Sequence, residues 1–109
     1  MGLLSLLFGG GASKADLPAM IHDGALLIDA RSPHEFSGGH IEGAVNIPHH
    51  LISEKIAGHE TDPSRPIVVY CHSGGRSALA VKALKKAGYQ QVENGGAFSM
   101  LRRQIEAAS

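Results

Sequence analysis

The chain has one cysteine, Cys71, and its neighbours decide what that thiol can do. The segment reads Val68-Val69-Tyr70-Cys71-His72-Ser73-Gly74-Gly75-Arg76-Ser77. An apolar run delivers the cysteine, a glycine-bearing loop follows, and a helix then begins. Glycines let successive backbone N–H groups turn inward into a concave nest. The helix start adds unpaired N–H donors and a positive field, and Arg76 adds a permanent guanidinium. All of these favour negative charge at the sulfur. Cys71 and Arg76 are therefore the candidate catalytic residues, with His72, Ser73, Gly74, Gly75 and Ser77 as the binding residues around them. The thiol pKa is expected to be lowered, making a thiolate nucleophile available near neutral pH. A bound anion is stabilised as it arrives and as charge develops. A lone cysteine is commonly a small buried hydrophobe, but a strand-end position before a Gly-rich loop and an arginine argues against an inert one. Two chemistries use this arrangement: phosphoryl transfer through a phosphocysteine and sulfur transfer through a cysteine persulfide. The size of the cradle separates them, since a tetrahedral phosphate needs a wider loop than one sulfur atom.

The elements that must position this loop follow from the apolar pattern. Ala25–Ile28, ending in Asp29, and Ile67–Tyr70, ending in Cys71, are short unbroken runs that suit strands buried on both faces. Ala44–Ile47 is a weaker third strand stopped by Pro48, and Tyr89–Val92 is expected to be a fourth. Ser13 with Asp16 resembles a capped helix start, with Leu17, Met20 and Ile21 on one face and Gly24 as its stop. Leu51–Ala57 suits a short helix, and Thr61–Pro66 a turn-rich connection. Arg76–Ala87 reads as a helix burying Ala80, Val81 and Leu84, closed by Gly88. Asn94-Gly95-Gly96 reads as a turn before a last helix, Ala97–Ala108. Alternating helices and buried strands imply an α/β domain, with a mainly parallel central sheet covered by helices on both faces. Sites in such sheets lie beyond the carboxyl ends of strands, where Asp29 and Cys71 both fall. Asp29 is expected to orient loop groups or Arg31, giving these two a supporting place. Arg31 and Glu35, four apart, are expected to pair at a helix start.

The 109 residues suit one domain, divided here into an apolar tail over 1–11 and a folded part over 12–109. With 43% hydrophobic and 18% charged residues, the composition is that of a globular chain. Lys plus Arg equals Asp plus Glu at ten each, so no basic surplus points to nucleic acid or an anionic membrane. The apolar stretch Leu3–Phe8 lacks a basic start and is too short for a secretory signal or a transmembrane helix. Leu6 stands where a myristoylation pattern needs Ser or Thr. A surface tail with no membrane contact, in a cytoplasmic protein, is the expectation. A lone cysteine excludes an internal disulfide and a cysteine zinc cluster. Of the seven histidines, His49 and His50 are adjacent. On extended chain they point to opposite faces and have no obvious acidic partner, so no metal site is expected. His40 suits a turn, and His72 lies beside the thiol, where it could tune the thiolate or face solvent.

The chain resembles the rhodanese-like domains from about Ser13 to Arg103. The resemblance rests on Leu27-Ile28-Asp29-Ala30-Arg31-Ser32-Pro33-His34-Glu35-Phe36, then Gly39-His40-Ile41-Glu42-Gly43-Ala44-Val45-Asn46-Ile47-Pro48, then Cys71 to Ser77, with Gly88, Gly95 and Gly96 downstream. It implies the three-layer rhodanese-like fold, and a persulfide on Cys71 whose outer sulfur is cradled by amides of residues 72–76. In the family a loop of this length, six residues from Cys71 to Arg76, goes with sulfur transfer. The related cell-cycle phosphatases and arsenate reductases have a longer one. The implied activity is that of a thiosulfate-type sulfurtransferase needing no cofactor. Its partners would be a small anionic sulfur donor and a thiol, cyanide or protein acceptor. A persulfide carrier with little turnover is the alternative, and a cysteine phosphatase or arsenate reductase a more distant one. The chain departs from the pattern at Phe98, where many relatives have tryptophan, and in a first strand reduced to Gly11–Ser13.

Overall fold

The computed structural model describes residues 15–109. The 1–11 tail, the Ser13 cap and the Gly11–Ser13 strand remnant lie outside the described residues. Eight elements of regular structure carry the fold: α1 (Leu17–His22), β1 (Leu26–Asp29), α2 (Pro33–Ser37), β2 (Val45–Asn46), α3 (Ile52–Lys55), β3 (Ile67–Cys71), α4 (Gly75–Lys86) and β4 (Val92–Ala97), closed by a ninth, α5 (Phe98–Ala108). Single 3-10 turns, His49–Leu51 and Ile56–Gly58, flank α3, so the helix expected over Leu51–Ala57 is broken into three pieces.

The four strands form one all-parallel sheet in the order β2-β1-β3-β4. β1 and β3 are buried along their whole length, as their unbroken apolar runs require. Successive side chains leave a strand on opposite faces. Ile67 and Val69 join Ile28, Ile47, Ile52, Ile56, Ala80 and Leu84 in one core, on the α3 and α4 side. Val68 and Tyr70 join Leu17, Leu27, Ile41 and Leu101 on the α1 and α5 side. Helices therefore cover both faces. The same alternation sends Cys71 to the α4 side with Ile67 and Val69, and sends Asp29 to the other side with Leu27.

The local signals act as elementary chemistry directs. Asp16 caps α1 by accepting from the Ala19 N–H at 3.1 Å, and the helix begins at Leu17. Ser32 and Glu35 form a capping box at α2: Ser32 Oγ accepts from Glu35 N–H and Glu35 Oε1 accepts from Ser32 N–H.

The fourth strand lies further along the chain than expected. Tyr89–Gln91 is a connection, and β4 runs through Asn94-Gly95-Gly96 rather than turning there. Val69 pairs with Asn94 and Tyr70 with Gly96, so Gly95 is an extra residue in the ladder, a bulge. A Cβ at Gly95 would stand 3.0 Å from Leu101 Cδ2, 3.0 Å from Val68 Cγ1 and 3.2 Å from Val69 O. The glycines let the strand press against β3 and α5, and that close approach removes the side-chain pattern by which a strand is read.

Gly95→Ala should destabilise the domain by ~1–3 kcal/mol, the usual cost of overpacking a tight core. A lowered denaturant midpoint at unchanged slope is the expected reading; an unchanged midpoint would contradict the packing at the bulge.

Candidate active site

β3 ends at Cys71 because the following residues stop extending and curl. Gly74 takes φ +102°, a left-handed conformation that side chains resist. It serves as the N-cap of α4, and a Cβ there would lie 3.5 Å from Gly96 Cα. This turn aims the loop back at the sulfur. Cys71 Sγ accepts from the Gly74 N–H at 3.0 Å and lies 3.4 Å from the Ser77 hydroxyl. Cys71 itself has no exposed surface, while His72, Ser73 and Gly75 are exposed above it.

Burial pushes the Cys71 thiol pKa up. The Ser77 hydroxyl and the amides of Ser77, Gly74 and Ser73 pull it down, and the net result is a lowered pKa. Donors aimed at the sulfur favour its charged form more than the lost hydration disfavours it. Ser77 is fully buried on the first turn of α4, where its hydroxyl also meets Gly74 O at 3.0 Å and Asn94 Oδ1 at 2.7 Å.

Arg76 does not stand free beside the sulfur. Its Nη1 and Nη2 donate to Glu35 Oε1 at 2.7 Å and Oε2 at 3.0 Å. This two-pronged pair joins α2 to the start of α4, and the hydrogen bond from Arg76 is the largest influence holding the Glu35 carboxyl at about 2. Arg76 is raised mainly by the same Glu35 bond, with the Cys71 charge a lesser contribution. Arg31 takes a different partner from the one its spacing suggested. Its Nε and Nη2 grip the buried Asp29 carboxylate, with Nη2 to Oδ2 at 2.7 Å, and Nη2 also donates to Gly39 O at 2.7 Å. Asp29 accepts a further bond from the Arg31 backbone N–H at 2.9 Å. The expected Arg31–Glu35 pair gives way to two others because Asp29 faces the α5 side of the sheet and draws Arg31 there. The guanidinium lies 4.5 Å from the Phe98 ring centroid, and that ring stacks on Tyr70 at 5.8 Å. Asp29 and Arg31 thus brace both ends of α2, which carries Glu35: Arg31 precedes the helix and bonds Gly39 O just after it.

His72 lies in the loop with its side chain exposed, and His40 Nδ1 meets Phe36 O at 2.9 Å, a turn contact. His49 and His50 meet edge to face, and no group of three His, Cys, Asp or Glu among the described residues could hold a metal. Two open grooves of about 450 and 420 Å³ lie along α1 and the end of α5, and no cysteine lines them. Among the described residues no helix is long and apolar enough to cross a membrane. Asn94 is the site residue the sequence reading missed. Its only signal was its place directly before Gly95-Gly96.

A parallel α/β sheet with a cysteine in a backbone-amide cradle at a strand end defines a class of thiolate domains. Within that class, the model of the rhodanese-like domain matches residues 13–96, and the chain belongs to that family. It is 39% identical to the thiosulfate sulfurtransferase PspE of Escherichia coli over 69 residues, 63% of this chain and 66% of that protein. It is 34% identical over 85 residues to the thiosulfate sulfurtransferase GlpE of Stutzerimonas stutzeri, covering 77% of this chain and 76% of that one. The chain thus spans just under two thirds of the first of these relatives and about three quarters of the second. A solved rhodanese with anions from E. coli superposes with a TM-score of 0.67 at 36% identity, covering 69% of this chain and 88% of that one. The human single-domain sulfurtransferase TSTD1 has the same fold, with a TM-score of 0.72 at 24% identity over 86% of this chain and 96% of that one.

The Glu35–Arg76 pair should respond to acid in a fixed direction. The carboxyl is held at about 2 against an ordinary 4.5. What it contributes is complete above the unfolded value and is lost as pH falls through the folded one. A third of each side chain is exposed, so its worth is ~0–1 kcal/mol. Comparing acid unfolding of the protein with that of Glu35→Gln should show the variant losing stability above pH 4.5 and converging on the wild type near pH 2. Parallel curves throughout would count against the pair.

Proposed function

We propose that the chain is a sulfurtransferase that moves sulfane sulfur from a small anionic donor such as thiosulfate to a thiophilic acceptor, through a persulfide on Cys71. The observation that carries this reading is the Gly74 N–H aimed at Cys71 Sγ at 3.0 Å from within a six-residue loop. A ring that tight suits a single added sulfur atom better than a tetrahedral phosphate. The names of the relatives PspE and GlpE support it.

The Cys71 thiolate attacks the outer sulfur of the donor. A new S–S bond forms, the donor's S–S bond breaks, and sulfite leaves with the electron pair. The persulfide's terminal sulfur carries the negative charge, which the loop amides of residues 72–76 and the α4 N-terminus offset. An acceptor nucleophile (cyanide, a thiol or a protein) then attacks that outer sulfur and releases Cys71 as thiolate. These bond changes need neither a metal nor an organic cofactor. Arg76 steers the anion. Glu35 uses two of its N–H donors, and a guanidinium has five. Ser73, Gly75 and His72 line the path by which donor and acceptor arrive. A thiol acceptor suits a reducing compartment such as the cytoplasm.

One observation favours a second reading. Cys71 has no exposed surface, so an acceptor meets the exposed loop residues His72, Ser73 and Gly75 before the sulfur. That suits a persulfide carrier which yields its sulfur to a dedicated protein.

Thiosulfate treatment followed by mass spectrometry should add one sulfur, about 32 Da, to Cys71, and cyanide should remove it. Cys71→Ser should take up none while keeping its fold. Arg76→Ala should raise KM for thiosulfate about tenfold, the loss of one charge-assisted contact. An adduct that turns over only slowly on small acceptors would favour the carrier. No adduct on a folded, reduced protein would defeat both readings.

A further inference from the structure

The Ser77 hydroxyl has one proton and three acceptors within reach: Asn94 Oδ1 at 2.7 Å, Gly74 O at 3.0 Å and Cys71 Sγ at 3.4 Å. Which acceptor takes it depends on how the Asn94 amide points, and its neighbours settle that. The Gly96 backbone N–H can only donate, and it lies 2.9 Å from Asn94 Oδ1. The Gly74 carbonyl can only accept, and it lies 3.3 Å from Nδ2. The oxygen therefore faces Ser77, so the serine must supply the proton of their 2.7 Å bond. While the sulfur is a neutral thiol, the shortest bond holds that proton, and a Ser77 lone pair is left for the S–H.

We propose that Asn94 is a positioning residue for the reacting sulfur, acting through Ser77: it holds the Ser77 proton while Cys71 is a thiol and yields it to the sulfur once the sulfur is charged. A hydrogen bond to an ionised acceptor is about twice as strong as one between neutral groups. A thiolate therefore outcompetes the neutral amide oxygen, and the hydroxyl rotates about its C–O bond toward Sγ. No bond to hydrogen breaks in that rotation, and the thiol's own proton passes to solvent. Asn94 Oδ1 keeps the Gly96 N–H, so the switch leaves no buried oxygen without a donor. Placement on β4 gives Asn94 this part. The bulge at Gly95 puts Asn94 opposite Val69 and Gly96 opposite Tyr70, so one amide reaches the strand, the loop and the first turn of α4 together. The use made of this relay in turnover rests on the sulfur-transfer reading, in which Sγ is charged as the thiolate and loses that charge to the outer sulfur in the persulfide.

The test reads the thiol itself, with no sulfur donor present. Cys71 is the sole cysteine, so the rate of iodoacetamide alkylation against pH titrates it alone. Asn94→Asp keeps the shape but makes the competing acceptor an anion, which retains the Ser77 proton. The alkylation midpoint should rise by roughly one pH unit or more. In a Ser77→Ala background the same substitution should have less than about half that effect. Equal shifts in both backgrounds would mean that the charge acts through space, and would overturn the proposal. Should Asn94→Asp fail to fold, NMR on the unmutated protein gives the same answer. The Asn94 side-chain amide and Gly96 N–H signals should move with the Cys71 midpoint, and most of that movement should vanish in Ser77→Ala. Undiminished movement in that variant would refute the relay. Neither result depends on thiosulfate uptake, so failure of the sulfur adduct and failure of the relay are separate outcomes.

Discussion

A sulfur that is to hold charge away from water needs hydrogen-bond donors that are already in place, because solvent cannot supply them in time. At Cys71 those donors are the Gly74 N–H and the reach of the Ser77 hydroxyl, and with the neighbouring amides they outweigh the burial that pushes the thiol pKa up. The rest of the fold is arranged around that balance. A parallel strand buried on both faces cannot wander at its end, so β3 fixes where the sulfur lies. The left-handed Gly74 then fixes where the amides point. The first turn of α4 begins immediately, which puts Ser77 under the sulfur instead of out in solvent.

The loop is held from two sides by different physics. On the α4 side, β4 supplies close packing: the Gly95 bulge brings Gly96 Cα against Gly74 and lays Asn94 across the loop carbonyl. On the other side, charge does the work. Asp29 secures Arg31, Arg31 ties down the chain just past α2 through Gly39 O, and Glu35 from α2 secures Arg76. The Asp29–Arg31 pair is buried, so its loss would strand a charge and cost far more than the loss of the exposed Glu35–Arg76 pair. The inner pair is buried, and the outer one lies at the exposed start of α4, beside the cysteine loop. Phe98 fits this scheme: its ring stacks on Tyr70 and gives the Arg31 guanidinium a face to lie on.

By itself, the sequence determined the parts that depend on neighbours along the chain. The unbroken apolar runs ending at Asp29 and Cys71 suited short strands buried on both faces. The Ser73-Gly74-Gly75 turn had to curl, since glycine allows the left-handed step, and the helix after it had to begin where its donors face the thiol. These made the fold class and the candidate cysteine loop legible. Tertiary structure alone decided the pairings that span the chain. Glu35 sits four residues from Arg31 but bonds to Arg76, 41 residues away, because strand alternation turns Asp29 and Arg31 to the opposite face of the sheet. β4 read as a turn because its tight packing against Val68 and Leu101 excludes the side chains that mark a strand. Asn94 was silent for the same reason: its meaning comes from a bulge that only the paired sheet creates, which puts its amide where one proton chooses between an oxygen and a sulfur.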